Sequence, residues 1–205
     1  MQEPARFILI YMVFPLWVAA GFCDWICHRR SGIAFTSGLK ENLLHWLMFV
    51  QIAVGILAVV LLEINAAVLL LAFGIFLSHQ LTVFAELRYS TMLRDVGPFE
   101  QMVHSFVELM PLLSIALLVL TAWPQALALV GIGEESRDWA LRVKHEPLPA
   151  GLLMTGLLAS LVFNFVPLLQ ETWSCVAARP PKRKSVRRTA PQPATARTPP
   201  NPEPR

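Results

Sequence analysis

Four of the five histidines stand at helical spacing from an acidic residue, and this pattern is the part of the sequence that could do chemistry. The four sets are Asp24-x3-His28, Glu41-x3-His45, His79-x6-Glu86 and Glu100-x3-His104-x3-Glu108. Residues four or seven apart share one face of an α-helix. Each set therefore presents carboxylate oxygen and imidazole nitrogen side by side, a donor combination that suits iron, manganese or zinc.

The chain that must position these sets is too apolar for an ordinary soluble domain. Hydrophobic residues make up 55% of the 205 residues and charged residues 15%, against about 25% charged in a typical soluble domain. A helix needs about 20 apolar residues to cross a bilayer, and runs of this kind recur five times. We predict an all-α polytopic membrane protein in which residues 1–178 form five transmembrane helices, at 7–21 (extending to 27), 43–62, 66–84, 106–132 and 151–169.

The net charge of +3 conceals two parts of opposite sign. Residues 179–205 hold eight lysines and arginines, one acid and eight prolines, whereas residues 1–178 hold nine basic and thirteen acidic residues. A polar, proline-rich segment buries too little apolar surface to fold, so we predict a disordered basic tail at 179–205. We expect this tail to contact membrane lipid, and to offer a contact for a protein partner, rather than to bind nucleic acid.

The distribution of positive charge predicts the orientation. Arg29, Arg30, Lys40 and Arg88 fall on the same side of the predicted helices as the tail, and the positive side of a membrane protein is usually cytoplasmic. We therefore expect a protein of the bacterial inner membrane with its N-terminus outside and its C-terminus in the cytoplasm. All four acid–histidine sets then lie at one depth, near the cytoplasmic boundary.

A bundle of four helices, with the fifth packed outside it, would let each set turn inward. Carboxylates buried together repel one another and lose hydration, and two metal ions would resolve this conflict. Arg88 and Arg94 flank the sets and could orient the ligands. The candidate ligands are Asp24, His28, Glu41, His45, His79, Glu86, Glu100, His104 and Glu108.

The stretches DWICHRR, SGLKENLLH and PFEQMVHSF resemble a group of uncharacterised bacterial multi-pass membrane proteins. The whole pattern is similar in kind to the di-iron carboxylate four-helix bundles, in which two helices supply Glu and two supply Glu-x-x-His. In this chain the spacing between acid and histidine is one residue longer. The resemblance implies a dinuclear centre, with iron favoured and manganese or zinc as alternatives.

The sequence-based expectation for function is a membrane-embedded metalloprotein that oxidises a hydrophobic small molecule at the cytoplasmic membrane boundary. Two alternatives stay open, namely a carrier for metal ions or protons and a non-catalytic subunit of a membrane assembly. A haem protein is a weaker alternative. Paired histidines on different helices could ligate b-type haem, but His28, His45, His79 and His104 all lie at one membrane side and the acids would be unexplained. Cys23-x3-Cys27-His28 resembles a lengthened c-type haem motif, but this attachment takes place outside the cytoplasm.

The orientation can be tested by cysteine labelling. In a variant without the three native cysteines, Ser185→Cys in the tail should resist a membrane-impermeant maleimide in intact cells and react once the membrane is permeabilised. Ser136→Cys, in the predicted outer loop, is the matched control and should react in intact cells. Labelling of the tail from outside would contradict the orientation.

Overall fold

The computed structural model describes residues 2–178, so the basic tail lies outside the described residues. Within them the fold is all-α, as predicted, and five helices are long and apolar enough to span a membrane. A sixth, short helix connects two of them. The helices are α1 (Glu3–Ser31), α2 (Leu39–Leu61), α3 (Ala66–Thr91), α4 (Pro98–Thr121), α5 (Trp123–Leu129) and α6 (Ala150–Ala177).

The helix ends follow from local chemistry. Asn65 caps α3, because its side chain accepts a hydrogen bond from the amide of Val68, and α4 begins at Pro98, whose fixed φ suits a first turn. The prediction of one helix over 106–132 is wrong at its end. The helix stops at Thr121, and Pro124 lies in the first turn of α5, because proline has no N–H to continue the ladder of α4.

The outward faces of the helices are apolar. Along α2 a row of leucine and valine side chains repeats every three or four residues, each at least 47% exposed: Leu43, Leu47, Val50, Val54, Leu57 and Leu61. A helix on a water-soluble protein presents polar residues on this face. The buried face of α2 instead carries Glu41 and Asn42, neither of which is exposed at all. The polarity of the molecule is thus inverted, with polar groups inside.

The five long helices close into a ring. The helix α1 packs against α4 and α6, α6 also packs against α2, α2 against α3, and α3 against α4. The predicted four-helix bundle with the fifth helix outside is therefore wrong. Residues 151–169 are mostly apolar, so their hydrophobic pattern indicates no preferred neighbour, and α6 packs against α1 and α2 mostly through its second half.

The half of the ring farther from the acid–histidine sets is apolar. Ala5, Val13, Met110 and Leu117 form one buried cluster between α1 and α4. At that end the loop between α5 and α6 pairs with the turn between α2 and α3, where the Lys144 amide donates to the Leu61 carbonyl at 2.9 Å. The acid–histidine sets lie at the opposite end of the helices.

The packing of α6 against α1 can be tested at Gly21. A Cβ at this position would overlap Nδ2 of Asn164, whose amide donates to the Val18 carbonyl. The variant Gly21→Ala must displace that side chain, and we expect it to be about 1 kcal/mol less stable than a Gly→Ala variant made at an open helical position, the size of one hydrogen bond. Thermal unfolding in detergent measures the change.

Gly74→Ala is the matched control, because no atom lies within 4 Å of a Cβ built there. This variant should be as stable as the wild type or slightly more stable, as expected for alanine in a helix. Equal melting temperatures for the two variants would contradict the α1–α6 contact.

Candidate metal centre

Five helices and one turn bring a cluster of acidic and imidazole side chains together at one end of the ring. The cluster consists of Asp24 and His28 at the end of α1, Glu41 and His45 at the start of α2, Glu86 near the end of α3, Arg94 in the following turn, Glu100 and His104 at the start of α4, and Glu171 near the end of α6. The side chains of Asp24, His45 and His104 are 12–22% exposed and those of the others at most 7%.

Two histidines from different helices share one carboxylate. The rings of His28 and His45 stack in parallel, with 4.5 Å between their centroids and 3° between their planes. Nδ1 of His28 lies 3.2 Å from Oε2 of Glu171, and Nδ1 of His45 lies 3.0 Å from Oε1 of the same residue. A carboxylate at Nδ1 favours the tautomer with its proton on that nitrogen, which leaves Nε2 with a free lone pair.

The Nε2 atoms of both rings face other carboxylates. Nε2 of His28 lies 3.6 Å from Oδ1 of Asp24 and 3.6 Å from Oε1 of Glu100. Nε2 of His45 lies 3.9 Å from Oε1 of Glu86. These separations exceed the length of a hydrogen bond, so each pair of atoms leaves a gap between them.

A third histidine joins the first of these groups. Nε2 of His104 lies 2.8 Å from Oδ1 of Asp24, and its ring meets that of His28 nearly edge-on. Asp24, His28 and His104 each place one ligand atom within 4.8 Å of the other two, and so do His28, Glu41 and His45. The two groups of possible ligand atoms overlap, because both include His28.

Glu171 is held in place by its own set of hydrogen bonds. The buried Asn42 amide donates to Oε1 of Glu171 at 2.9 Å and accepts from the Thr172 hydroxyl at 2.9 Å. The indole N–H of Trp46 donates to the same hydroxyl at 2.8 Å. Because Asn42, Thr172 and Trp46 fix the carboxylate, they also fix the two imidazoles that depend on it.

Arg94 bridges two acidic residues that start different helices. Its Nη2 lies 2.7 Å from Oε1 of Glu41 and 2.7 Å from Oε1 of Glu100. Burial by itself disfavours the charged guanidinium, but the hydrogen bonds with Glu100 and Glu41 raise the pKa of Arg94 above its usual value. The residue is a permanent positive charge inside the cluster.

Two buried ligand atoms of the cluster have no hydrogen-bond partner within the described residues. They are Nε2 of His28 and Oε1 of Glu86, whereas Oδ1 of Asp24 and Oε1 of Glu100 contact His104 and Arg94. An unsatisfied buried polar atom costs about 1–3 kcal/mol, and more when the group is charged. Both are atoms that bind metal ions and face the gaps described above, so the donor set fits a metal centre.

The structure brings together seven of the nine candidate ligands and leaves two outside the cluster. His79 is buried on the same face of α3 as Glu86 but two turns away, and its Nδ1 has no partner among the described residues. Glu108 is half-buried on α4 and makes no ion pair within residues 2–178. Of the two flanking arginines, Arg94 lies in the cluster and Arg88 is exposed.

Glu171 is the residue that the sequence reasoning missed. It has no histidine at helical spacing on its own helix, and the predicted fifth helix ended at residue 169, whereas α6 continues to Ala177. The signal was the polar triplet Gln170-Glu171-Thr172, which follows an apolar helix at the end of the molecule where the other acids lie.

Comparison with protein-family models, with curated proteins and with solved structures finds no match to this chain. The class of this protein is therefore described from its fold and its cluster alone. Over residues 2–178 it is an all-α bundle with five helices long and apolar enough to span a membrane, and with a largely buried cluster of five carboxylates, three imidazoles and one guanidinium.

The support of Glu171 generates a prediction. Asn42→Leu has a similar volume but removes the donor to Oε1 of Glu171 and the acceptor for Thr172. We expect it to lower the free energy of unfolding by about 1–3 kcal/mol, the cost of leaving buried polar atoms without partners. Leu43→Ala, on the exposed face of the same turn, is the control and should cost less. A smaller loss in Asn42→Leu than in the control would contradict this support.

Proposed function

We propose that this chain is a membrane-embedded metalloprotein with a dinuclear centre, and that it acts as an oxidoreductase on a hydrophobic substrate. The observation that carries the proposal is the pair of stacked imidazoles of His28 and His45, which share Glu171 through Nδ1. Metal-bound histidines commonly donate their second N–H to a carboxylate in this way. Two such imidazoles side by side favour two ions rather than one.

The spacing of the donors supports a pair of ions. The two rings are 4.5 Å apart, and ions in dinuclear centres are about 3.5–4 Å apart. Asp24, His28 and His104 would hold one ion, and His45 with Glu86 the other. Glu41 groups with His28 and His45 and could add a ligand to the second ion, and Oε1 of Glu100, 3.6 Å from Nε2 of His28, could add one to the first.

The charge of the cluster also supports two metal ions. Five carboxylates and one guanidinium leave four negative charges when the imidazoles are neutral, as metal ligation requires. Two divalent cations neutralise this charge. Iron is the metal we favour, since carboxylate and imidazole donors suit it and an iron pair supplies oxidation chemistry when bound; manganese and zinc share the donor preference.

The flank of the cluster at Asp24 and His104 supports an apolar substrate. Their side chains are 22% and 13% exposed, the highest exposures in the cluster together with His45 at 12%. The neighbouring surface carries Phe99 and Met102, both more than half exposed. A lipid-like or quinone-like molecule could approach there directly from the bilayer and reach the ligand atoms of α1 and α4.

We place the centre at the cytoplasmic side of a bacterial inner membrane. The proposal rests on the basic residues Arg29, Arg30, Lys40 and Arg88, which lie at the same end of the helices as the cluster, and on the positive-inside rule. The apolar outward faces of the five long helices are compatible with this location.

An ion carrier is the second candidate function. The observation in its favour is a polar group half-way along α2 and α3, where Gln51 donates to the hydroxyls of Ser78 and Thr82 at 2.9 and 3.1 Å. Transport sites usually lie near the middle of the bilayer. A carrier should exchange its bound metal within seconds in detergent, whereas a resident centre should retain it through dialysis.

Metal analysis tests the proposal. The full-length protein, expressed with ample metal and purified in mild detergent, should retain about two ions per chain, the number that the charge count supports. His45→Ala and Glu100→Ala should each lose at least one of them, because both remove ligand atoms from the cluster. Inductively coupled plasma mass spectrometry measures the content.

The matched controls are His79→Ala and Glu108→Ala, which remove the same residue types outside the cluster. Both should keep the metal content of the wild type. Equal loss in all four variants would point to general unfolding, and a wild-type protein without tightly held metal would refute the proposal. An intense Soret band would replace it with a haem protein.

A further inference from the structure

Arg94 is the basic side chain placed inside the cluster, and its role follows from where it sits. The turn that carries it connects α3 to α4, and its amide donates to the Ser90 carbonyl at 3.0 Å. Its side chain is 3% exposed. The guanidinium therefore cannot exchange freely between the cluster and solvent, as the exposed Arg88 on the preceding turn of α3 can.

The contacts of Arg94 leave the carboxylates able to bind metal ions. Its Nη2 and Nε approach the two oxygens of Glu41 at 2.7 and 3.4 Å, and Nη2 reaches Oε1 of Glu100 at 2.7 Å. A carboxylate oxygen has two lone pairs, so a guanidinium on one of them does not prevent ligation through the other. Arg94 can keep these contacts while both residues act as ligands.

The charge of Arg94 decides whether the loaded cluster is neutral. With it, five carboxylates and one guanidinium match two divalent ions. Without it, one negative charge stays uncompensated in a buried site, where an unpaired charge costs several kcal/mol. A trivalent ion in place of one divalent ion would remove that charge. Loss of Arg94 should therefore shift the preference of the cluster toward trivalent ions.

We propose that Arg94 is a specificity-determining residue of the centre, which sets the total metal charge that the cluster accepts at that of two divalent ions. The inference rests on the proposed function, because it concerns the metals of the same site. It concerns the total metal charge that the cluster accepts, which the ligands alone do not determine. The same seven ligands would accept a different total charge if the guanidinium were absent.

The test uses two redox-inert probes, Zn²⁺ and Ga³⁺, with full-length protein purified in detergent and stripped of metal. Equilibrium dialysis against buffered metal gives the affinity for each ion separately, and the quantity compared is the ratio of Ga³⁺ to Zn²⁺ affinity. Arg94→Gln, which loses the charge and keeps an amide donor, should raise this ratio about tenfold or more, as removal of one nearby charge predicts.

Two variants serve as controls. Arg94→Lys keeps the charge and loses the planar fork, so its ratio should stay within about threefold of the wild type, a change too small for loss of a neighbouring charge. Arg88→Gln removes a positive charge from the exposed neighbouring turn, where solvent and salt screen it, and should leave the ratio unchanged. The first control separates the effect of the charge from that of the side-chain shape. The second separates a charge in the cluster from a charge on the surface.

The outcomes distinguish this inference from the proposed function. An Arg94→Gln ratio equal to that of Arg88→Gln would overturn the inference while leaving the metal centre intact. Loss of both ions in Arg94→Gln and in Arg94→Lys would show that Arg94 is needed to assemble the site, which also overturns a role in charge selection. A wild-type protein that binds neither probe would refute the metal centre itself.

Discussion

Negative charge buried in an apolar bundle is the constraint on which the rest of this molecule depends. Five carboxylates converge at one end of the ring, and their mutual repulsion and lost hydration would force them apart unless positive charge were supplied. Arg94 supplies one charge from within the chain, through its contacts with Glu41 and Glu100. The proposed metal ions would supply the remaining positive charge. The stability of the fold would then depend on metal binding.

Two residues organise the cluster in complementary ways. Glu171 accepts from the imidazoles of His28 and His45 and so directs their Nε2 atoms away from itself. Arg94 orients carboxylates, since its guanidinium contacts Glu41 in the first turn of α2 and Glu100 in the first turn of α4. One side chain thus orients nitrogen donors and the other orients oxygen donors. The proposed ligands come from four helices, and these two organisers from a fifth helix and a turn.

The sequence predicted the helices well, because an apolar run of bilayer length is a strong signal that depends on no partner. Acid–histidine spacing also predicted seven of the residues that meet in the cluster, since each pair lies on one face of its own helix. The same spacing rule also selected His79 and Glu108 as candidate ligands, and both lie outside the cluster. Spacing along a helix does not specify how far along the bundle a residue lies. Glu171 escaped because its partners are 126 and 143 residues away in the chain.

The place of α6 in the ring was equally out of reach of sequence reasoning. The hydrophobic pattern of a mostly apolar helix does not indicate which face meets which neighbour, so its neighbours are decided by shape and by a few polar contacts. The absence of a side chain at Gly21 lets Asn164 approach α1. The indole of Trp25 donates to Gln170 at 3.0 Å. Contacts of this kind appear only when both helices are present.

The position of α6 has a consequence for biogenesis. It follows all the other described helices in the chain, yet it closes the ring between α1 and α2. Its Glu171 contacts the imidazole of His28, which is synthesised much earlier. During synthesis the acids of the first four long helices must therefore coexist without the residue that orients their histidines. The cluster can therefore be completed only after α6 has been synthesised.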